Sequence, residues 1–125
     1  MARNKLDIDV VREIAMAFDG VQQSTTYGAP SFKVRGNLMA CPAINKSAEP
    51  NSLGVFVGFD QRDELLAADP NVYYLTDHYV DHPVVLVRLS EIRRDALQGL
   101  LRMAWRFVSA KSEASERTSR KRKIT

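Results

Sequence analysis

The chain has 125 residues and a mass of 14.1 kDa, which suits one domain with one hydrophobic core and is too short for two sizeable ones. Hydrophobic residues make up 45% and charged residues 26%, as in ordinary globular proteins, and no stretch has the roughly 18 apolar residues of a membrane span. Residues 1–108 carry 12 basic and 13 acidic side chains, net −1, whereas residues 109–125 carry six basic and two acidic ones, net +4, so the basic character belongs to the tail.

The first predicted element is a helix that Asp7 or Asp9 can cap. Four apolar residues at helical spacing form one stripe on it: Val11, Ile14, Ala15 and Phe18. Gly20 is expected to end this helix, because glycine is the preferred residue just past a helix end.

A β-hairpin is predicted next, because the segment SFKVRGNLMA changes the apolar period to two. The dipeptide Gly36–Asn37 is expected to form its two-residue turn. The resulting cross-strand pairs on the shared apolar face would be Val34 with Met39 and Phe32 with Cys41. Lys33 and Arg35 would then share the opposite face with Leu38 and Ala40.

The rest of the chain predicts a third strand, a helix, two strands and a last helix. After a loop rich in Asn, Ser and Pro, alternation from Leu53 to Phe59 indicates a strand, and Asp60 can cap a short helix that ends near Asp69–Pro70. The stretches VYYLT and VVLVRL indicate two further strands, and Ser90 can cap the last helix. Its inward stripe consists of Leu97, Leu100, Leu101, Ala104 and Val108.

The predicted order is therefore helix, three strands, helix, two strands, helix. Because strands and helices do not alternate regularly, we expect an α+β fold in which helices pack on an antiparallel sheet in two layers. Residues 1–108 are expected to form this single domain. The tail, residues 109–125, lacks apolar residues to pack, so it is predicted either to be disordered or to extend the last helix.

The chain resembles the MmcQ/YjbR family of small bacterial proteins between Val10 and Val108. The resemblance rests on GVQQSTTYGAPSFKVRGNLMA, on FDQRDELLAADPNVYYLTDHY and on PVVLVRLS before a helix that bears AWRFV. It implies a fold similar to that of secretion chaperones, with the same order of elements. It also implies a DNA-binding role, because the hairpin wings of family members look suited to a duplex. The loop KSAEPNS and the basic tail depart from the family pattern.

Nucleic-acid binding is the leading functional hypothesis. Lys33 and Arg35 on a narrow hairpin can meet phosphates, although charges on such a face also serve simply to prevent edge pairing. The further candidate phosphate contacts are Arg88, Arg93 and Arg94 in the body and Arg120, Lys121, Arg122 and Lys123 in the tail. The expected association with DNA is non-specific, because these contacts do not read base edges.

A metal site or an enzyme is the less favoured interpretation. His78 and His82 stand four residues apart, a spacing that on a helix could hold zinc. Pro83 disfavours helical backbone at His82, and the segment joins two strands, so a turn is the favoured interpretation. No nucleophile elbow, phosphate-binding loop or dinucleotide fingerprint accompanies the histidines. We expect a non-catalytic module without a cofactor.

A protein-interaction module of chaperone type is the main alternative to DNA binding. Phe56, flanked by Gly54 and Gly58, would then form part of an exposed apolar patch on the sheet. The single cysteine, Cys41, agrees with a reducing compartment, and the polar start MARNKLDID does not resemble a secretory signal. The expectation is a cytoplasmic monomer that binds DNA or a protein partner and no membrane.

Overall fold

The computed structural model describes the backbone of residues 6–26 and 28–124 and the side chains of residues 6–25 and 28–111. Within these residues the elements are α1 (Ile8–Ala15), β1 (Val21–Thr26), β2 (Ala29–Val34), β3 (Asn37–Pro42), β4 (Ser52–Phe56), α2 (Phe59–Ala68), β5 (Tyr73–Tyr74), β6 (Val84–Arg88) and α3 (Arg94–Ile124). The six strands form one antiparallel sheet in the order β1-β2-β3-β4-β6-β5. The predicted α+β class with an antiparallel sheet is confirmed.

Helix α3 lies across β2, β3 and β4, and α1 packs on α3, so one face of the sheet carries the core. The predicted stripe of α3 is buried, from Leu97 to Val108. We call the sheet face opposite α3 the outer face. No helix in the described part of the chain combines the length and the apolar character that crossing a bilayer requires.

Helix α1 begins as predicted and ends earlier. The Asp7 carboxylate accepts hydrogen bonds from the backbone N–H groups of Asp9 and Val10, at 3.1 and 3.2 Å, which makes Asp7 the N-cap. The helix ends at Ala15 rather than next to Gly20. Gly20 has φ of +74° and instead turns the chain into β1.

The sequence prediction missed β1, so four strands rather than three lie between α1 and α2. This strand, VQQSTT, is at the edge of the sheet, and of its described side chains only Val21 is buried. An edge strand held by backbone hydrogen bonds to a single neighbour needs no alternation of apolar residues, so the pattern that predicts strands is absent from it.

The turn of the β2–β3 hairpin lies one residue earlier than predicted. Its two central residues are Arg35 and Gly36, with φ of 52° and 82°, and Val34 pairs with Asn37 across it. Two positive φ values are what a type I′ hairpin turn requires. The prediction of a Gly36–Asn37 turn was therefore wrong, and Arg35 lies in the turn rather than beside Lys33 on a strand face.

A bulge at Met39 then changes which residues of β3 face the core. Phe32 pairs with Ala40 rather than with Cys41, and Met39 is the extra residue that the bulge accommodates. Phe32, Met39 and Ala40 are all fully buried. Cys41 pairs with Gly54 of β4 and faces outward. The predicted inward position of Cys41 was wrong because a register change of one residue exchanges the two faces of a strand.

The two later helices also begin away from their predicted caps. Gly58, not Asp60, is the N-cap of α2, and its backbone N–H donates to Gln61 Oε1 at 3.3 Å. Helix α3 begins at Arg94, four residues after Ser90. Its backbone stays helical to Ile124.

Candidate functional site

Arg88 is fully engaged in contacts within the protein. Its Nε and Nη2 donate to the two carboxylate oxygens of Glu49 at 2.9 and 2.7 Å, and its Nη1 donates to the carbonyls of Pro70 and Asn71 at 3.1 and 3.0 Å. The guanidinium also lies 4.3 Å above the centre of the Tyr74 ring. A bidentate pair of this kind neutralises the cation. The structure therefore does not support Arg88 as a phosphate contact.

The same contact makes stability depend on the ionisation of Glu49. Hydrogen bonding from Arg88 lowers the pKa of Glu49 below its ordinary value of 4.5. Since the folded pKa is lower than the unfolded one, the pair stabilises the fold above the unfolded pKa, and this contribution is lost as pH falls through the folded pKa. We expect Glu49→Gln to lower the melting temperature at about pH 7 and to have little effect at about pH 3.

Thermal melts across this pH range test the Glu49 prediction. Glu64→Gln is the matched control, because Glu64 is an exposed glutamate of α2 without an ion pair among the described side chains. Its effect on the melting temperature should be small at both pH values. A Glu49→Gln effect that stays constant between the two pH values would contradict the role assigned to the ion pair.

Arg93 and Arg94 each have a carboxylate partner. Arg94 Nη2 donates to Glu13 Oε2 at 3.0 Å and so joins the start of α3 to α1, while Arg93 Nε lies 3.4 Å from Asp95 Oδ1. Both arginines are exposed, so these pairs contribute little to stability. Their charges are locally compensated, which weakens their predicted role on a positive surface.

The hairpin places its two cations in different environments. Lys33 is half-buried on the outer face, where it pairs across the strands with Leu38, and it forms no ion pair with any described side chain. Arg35 is exposed at the turn. The predicted two-cation ribbon on one strand face is therefore not formed.

The four basic residues of the tail, Arg120, Lys121, Arg122 and Lys123, have side chains outside the described residues. Their backbone continues α3.

Helix α3 also carries two arginines that the sequence interpretation left out. Arg102 and Arg106 are exposed one turn apart, and neither forms an ion pair with a described side chain. They flank Trp105, whose ring stacks on Phe18 at 5.9 Å between centroids. Trp105 Nε1 donates to the carbonyl of Asp19 at 2.8 Å. Together these residues surround a shallow cavity of about 310 Å³.

The two histidines lie in a turn, as predicted, and do not converge on a metal site. The backbone N–H of Tyr79 donates to Thr76 O at 2.9 Å, and that of His82 donates to Tyr79 O at 3.0 Å. His78 is exposed, and its ring meets the Tyr79 ring edge-on at 4.9 Å. Among the described side chains, no three of His, Cys, Asp or Glu are grouped closely enough to hold a metal ion.

The outer face bears a cavity of about 630 Å³, which we call the outer-face cavity. Strands β3, β4 and β6 form its floor, while the loop after β3 and the turn before β6 form its walls. Its lining residues are Leu38, Cys41, Pro42, Ala43, Ile44, Asn45, Lys46, Gly54, Phe56, His78, Tyr79 and Val84. Phe56 is half-buried on this floor, so it is less exposed than the apolar patch expected of a protein-interaction module.

The walls of the outer-face cavity are held in place by hydrogen bonds between distant segments. Ser47 Oγ and Thr76 Oγ1 lie 2.8 Å apart and join the loop to the turn. The backbone N–H of Glu49 donates to the Tyr74 hydroxyl at 2.8 Å. Burial raises the pKa of the Cys41 thiol on the floor, so the thiol is protonated near neutral pH.

Comparison with known proteins supports the fold and leaves the activity open. No family model matches the chain. In a 74-residue alignment that covers 55% of this chain and 57% of theirs, the chain is 41% identical to the uncharacterized proteins Rv2570 of Mycobacterium tuberculosis and Mb2600 of Mycobacterium bovis, so it spans little more than half of their length. The crystal structure of Deinococcus radiodurans protein DR2400, a DUF419 family-model domain, is similar with a TM-score of 0.65 and 21% identity over 81% of this chain and 77% of that one. This likeness is one of fold.

Proposed function

We propose that the chain is a non-catalytic nucleic-acid-binding module of the MmcQ/YjbR type. The sequence motifs of that family and the similarity of the fold to a DUF419 domain, a domain known as YjbR/MmcQ-like, support the family assignment. The relatives named above are uncharacterized, so the functional part of the proposal rests on the surface of this chain alone.

The observation that carries the proposal is the pair of uncompensated arginines on α3. Arg102 and Arg106 are exposed one helical turn apart without a carboxylate partner among the described side chains, unlike Arg88 and Arg94. A cation that already contacts a carboxylate gains less from a phosphate than an unpaired one does. Helix α3, rather than the β2–β3 hairpin, is therefore proposed as the element that meets the phosphate backbone.

The tail adds positive charge to the same helix. Residues 109–125 have a net charge of +4, and their backbone continues the helix on which Arg102 and Arg106 lie. A single helix would thus carry Arg102 and Arg106, followed by a basic segment, and all of these charges could attract a polyanion. Contacts of this kind bind phosphates without reading base edges, so the proposed association is non-specific and sensitive to salt.

Salt dependence of duplex binding tests the proposal. Anisotropy of a labelled random-sequence duplex is titrated with the full chain between about 50 and 200 mM salt. Because each lost phosphate contact reduces the slope of log K against log salt by about 0.9, the double substitution Arg102→Gln, Arg106→Gln should reduce the slope by about 2. Neutralising the four basic residues from Arg120 to Lys123 should reduce it further.

Arg93→Gln with Arg94→Gln is the matched control, because it removes two charges where α3 begins, at positions that already have carboxylate partners. We expect it to change the slope by less than half as much as the Arg102 and Arg106 pair does. Equal losses in both double variants would show that only net charge matters and would overturn the assignment to a specific surface. Absence of duplex binding at the lowest salt would overturn the proposed function itself.

A further inference from the structure

The outer-face cavity has the size of a small-molecule site. Its volume of about 630 Å³ far exceeds the packing gaps of a protein interior, and it falls in the range of about 300–1,000 Å³ that is typical of ligand sites. It lies on the sheet face opposite α3, so it is separate from the proposed nucleic-acid surface. Binding of a ligand in this cavity would therefore be a function in addition to the proposed one.

Gly54 keeps the floor of the cavity open. Its φ is not positive, so the backbone does not require glycine there. A Cβ added at this position would lie 3.6 Å from Val84 Cγ2 and 3.9 Å from Leu86 Cδ2, which are ordinary contact distances. Glycine inside a strand costs stability, and here a side chain would fit. Glycine at this position leaves the space above the floor unfilled.

The lining of the cavity is apolar with two basic groups. Leu38, Phe56 and Val84 offer an apolar floor, and Ile44 on the wall is 54% exposed. The basic groups are Lys46 in the loop and His78 in the turn.

No carboxylate lines the cavity within the described part of the chain. Asp77 and Asp81 lie in the same turn as His78 but are exposed and do not line the cavity. Glu49, the acidic residue of the loop, is held by Arg88.

We propose that the outer-face cavity binds a small amphipathic carboxylate, with its apolar alkyl or aryl body on Phe56 and its carboxylate at Lys46. An apolar lining with a few placed polar groups is the usual composition of a ligand site, and here the charge of those groups selects an anion. His78 lies on the same rim and adds a second donor to the carboxylate. A neutral molecule with the same apolar body fits the floor but leaves the ammonium without a partner.

Labelling of Cys41 measures occupancy of the cavity. Cys41 is the only cysteine of the chain and lines the cavity, so every thiol modification of the full-length protein reports on this site. The probes are decanoate and, as its uncharged counterpart, 1-decanol, with 4-phenylbutyrate as an aryl acid. We expect decanoate to slow the reaction of Cys41 with a disulfide reagent several-fold, and decanol to require a higher concentration for the same protection. Protection by only one of the two acids would identify whether alkyl or aryl bodies are preferred.

Substitutions at Lys46 and on the cavity floor, with one control, test the proposed contacts. Lys46→Gln should weaken decanoate binding up to about fivefold, the size of an exposed ion pair, without changing decanol binding. Lys111→Gln, an exposed lysine of α3 away from the cavity, is the matched control and should change neither. Gly54→Val should abolish protection by filling the floor. If Gly54→Val does not fold, Ala43→Phe closes the cavity from the loop side.

Two results would overturn the inference. Equal protection by decanoate and decanol, unchanged in Lys46→Gln, would eliminate the carboxylate as the recognised group. Protection of Cys41 that persists when the cavity is filled, or no protection by either acid, would eliminate the cavity as the site. Because duplex binding is measured separately on α3 variants, either failure is distinguishable from failure of the proposed nucleic-acid function.

Discussion

Replacing Arg62 with methionine is expected to lower the free energy of unfolding by about 2–4 kcal/mol, as the loss of two charge-assisted hydrogen bonds at a buried site. Arg62 is only 8% exposed, and its Nη1 donates to the carbonyls of Val80 and His82, both at 2.9 Å. Its guanidinium also lies 4.8 Å from the centre of the Phe59 ring. Methionine fills a similar volume but donates nothing, so both carbonyls lose the hydrogen bond from Arg62, while that of His82 still accepts from the backbone N–H of Val84 at 2.8 Å. Urea unfolding of the two proteins measures the difference.

The effect of Arg62 should extend to the outer-face cavity, because Val80 and His82 belong to the turn that carries His78 and Tyr79. Without the guanidinium the turn loses these two hydrogen bonds to α2. We expect the amides of Tyr79 and His82 to exchange faster in Arg62→Met than the loss of global stability accounts for. Hydrogen exchange under native conditions separates this local opening from global unfolding.

Two variants control the Arg62 prediction. Arg62→Lys keeps the charge and one donor and should lose about half as much stability as the methionine variant. Asp63→Asn should change stability by less than about 0.5 kcal/mol, since the Asp63 carboxylate is exposed and lies 3.5 Å from Arg62 Nε without forming a hydrogen bond. A methionine variant as stable as the parent protein would show that the two carbonyl contacts do not hold the turn.

Local features of the sequence predicted those elements whose stability depends on local chemistry or on strong apolar patterning. The Asp7 cap, the apolar strand β4 and the inward stripe of α3 follow directly from residue type and spacing. Strand β6 is buried from Val84 to Val87, as its unbroken apolar run predicts. The α+β class followed from the order of these elements.

The hairpin shows where local reasoning fails. Gly36–Asn37 fits the residue preferences of a two-residue turn better than Arg35–Gly36, yet the structure places the non-glycine Arg35 at φ of 52°. The bulge at Met39 compensates for the shift, so that Val34 and Met39 both reach the core as predicted while Cys41 does not. Because the shifted turn and the bulge cancel at Val34 and Met39, the apolar pattern of these strands does not indicate that either is present.

The candidate sites depended on contacts between residues distant in sequence, and these were not predictable. Glu49 and Arg88 are 39 residues apart, and Glu13 and Arg94 are 81 residues apart. When these contacts are not known, the sequence alone gives no reason to prefer one arginine over another as a phosphate ligand. The exposed Arg102, by contrast, was available to sequence reasoning, since it lies between the inward positions of the α3 stripe.

Phe32→Ala is expected to lower the free energy of unfolding by about 3–5 kcal/mol, whereas Cys41→Ala should cost less than about 1 kcal/mol. Phe32 is fully buried beneath α3, where its removal leaves a cavity that the surrounding residues cannot refill. Phe32→Leu, which keeps most of the volume, should lose less than about 1.5 kcal/mol. Cys41 is half-buried on the outer face, so truncating it enlarges a cavity that already exists. Urea unfolding of the three variants, followed by the same spectroscopic probe, measures these differences.

The contrast between Phe32 and Cys41 tests the register on which the outer-face cavity depends. If the strands were paired through a Gly36–Asn37 turn without a bulge, Cys41 would lie beside Phe32 in the core. Cys41→Ala would then lower the free energy of unfolding as much as the loss of any buried group of that size does. Its thiol would then react only through global unfolding, at a rate that falls with every gain in stability. In the observed register Cys41 shares the outer face with Gly54 and is expected to react in the folded protein. If the labelling rate of Cys41 follows the unfolding equilibrium, Cys41 lies in the core and not on the cavity floor. The proposed carboxylate site would then be wrong as well.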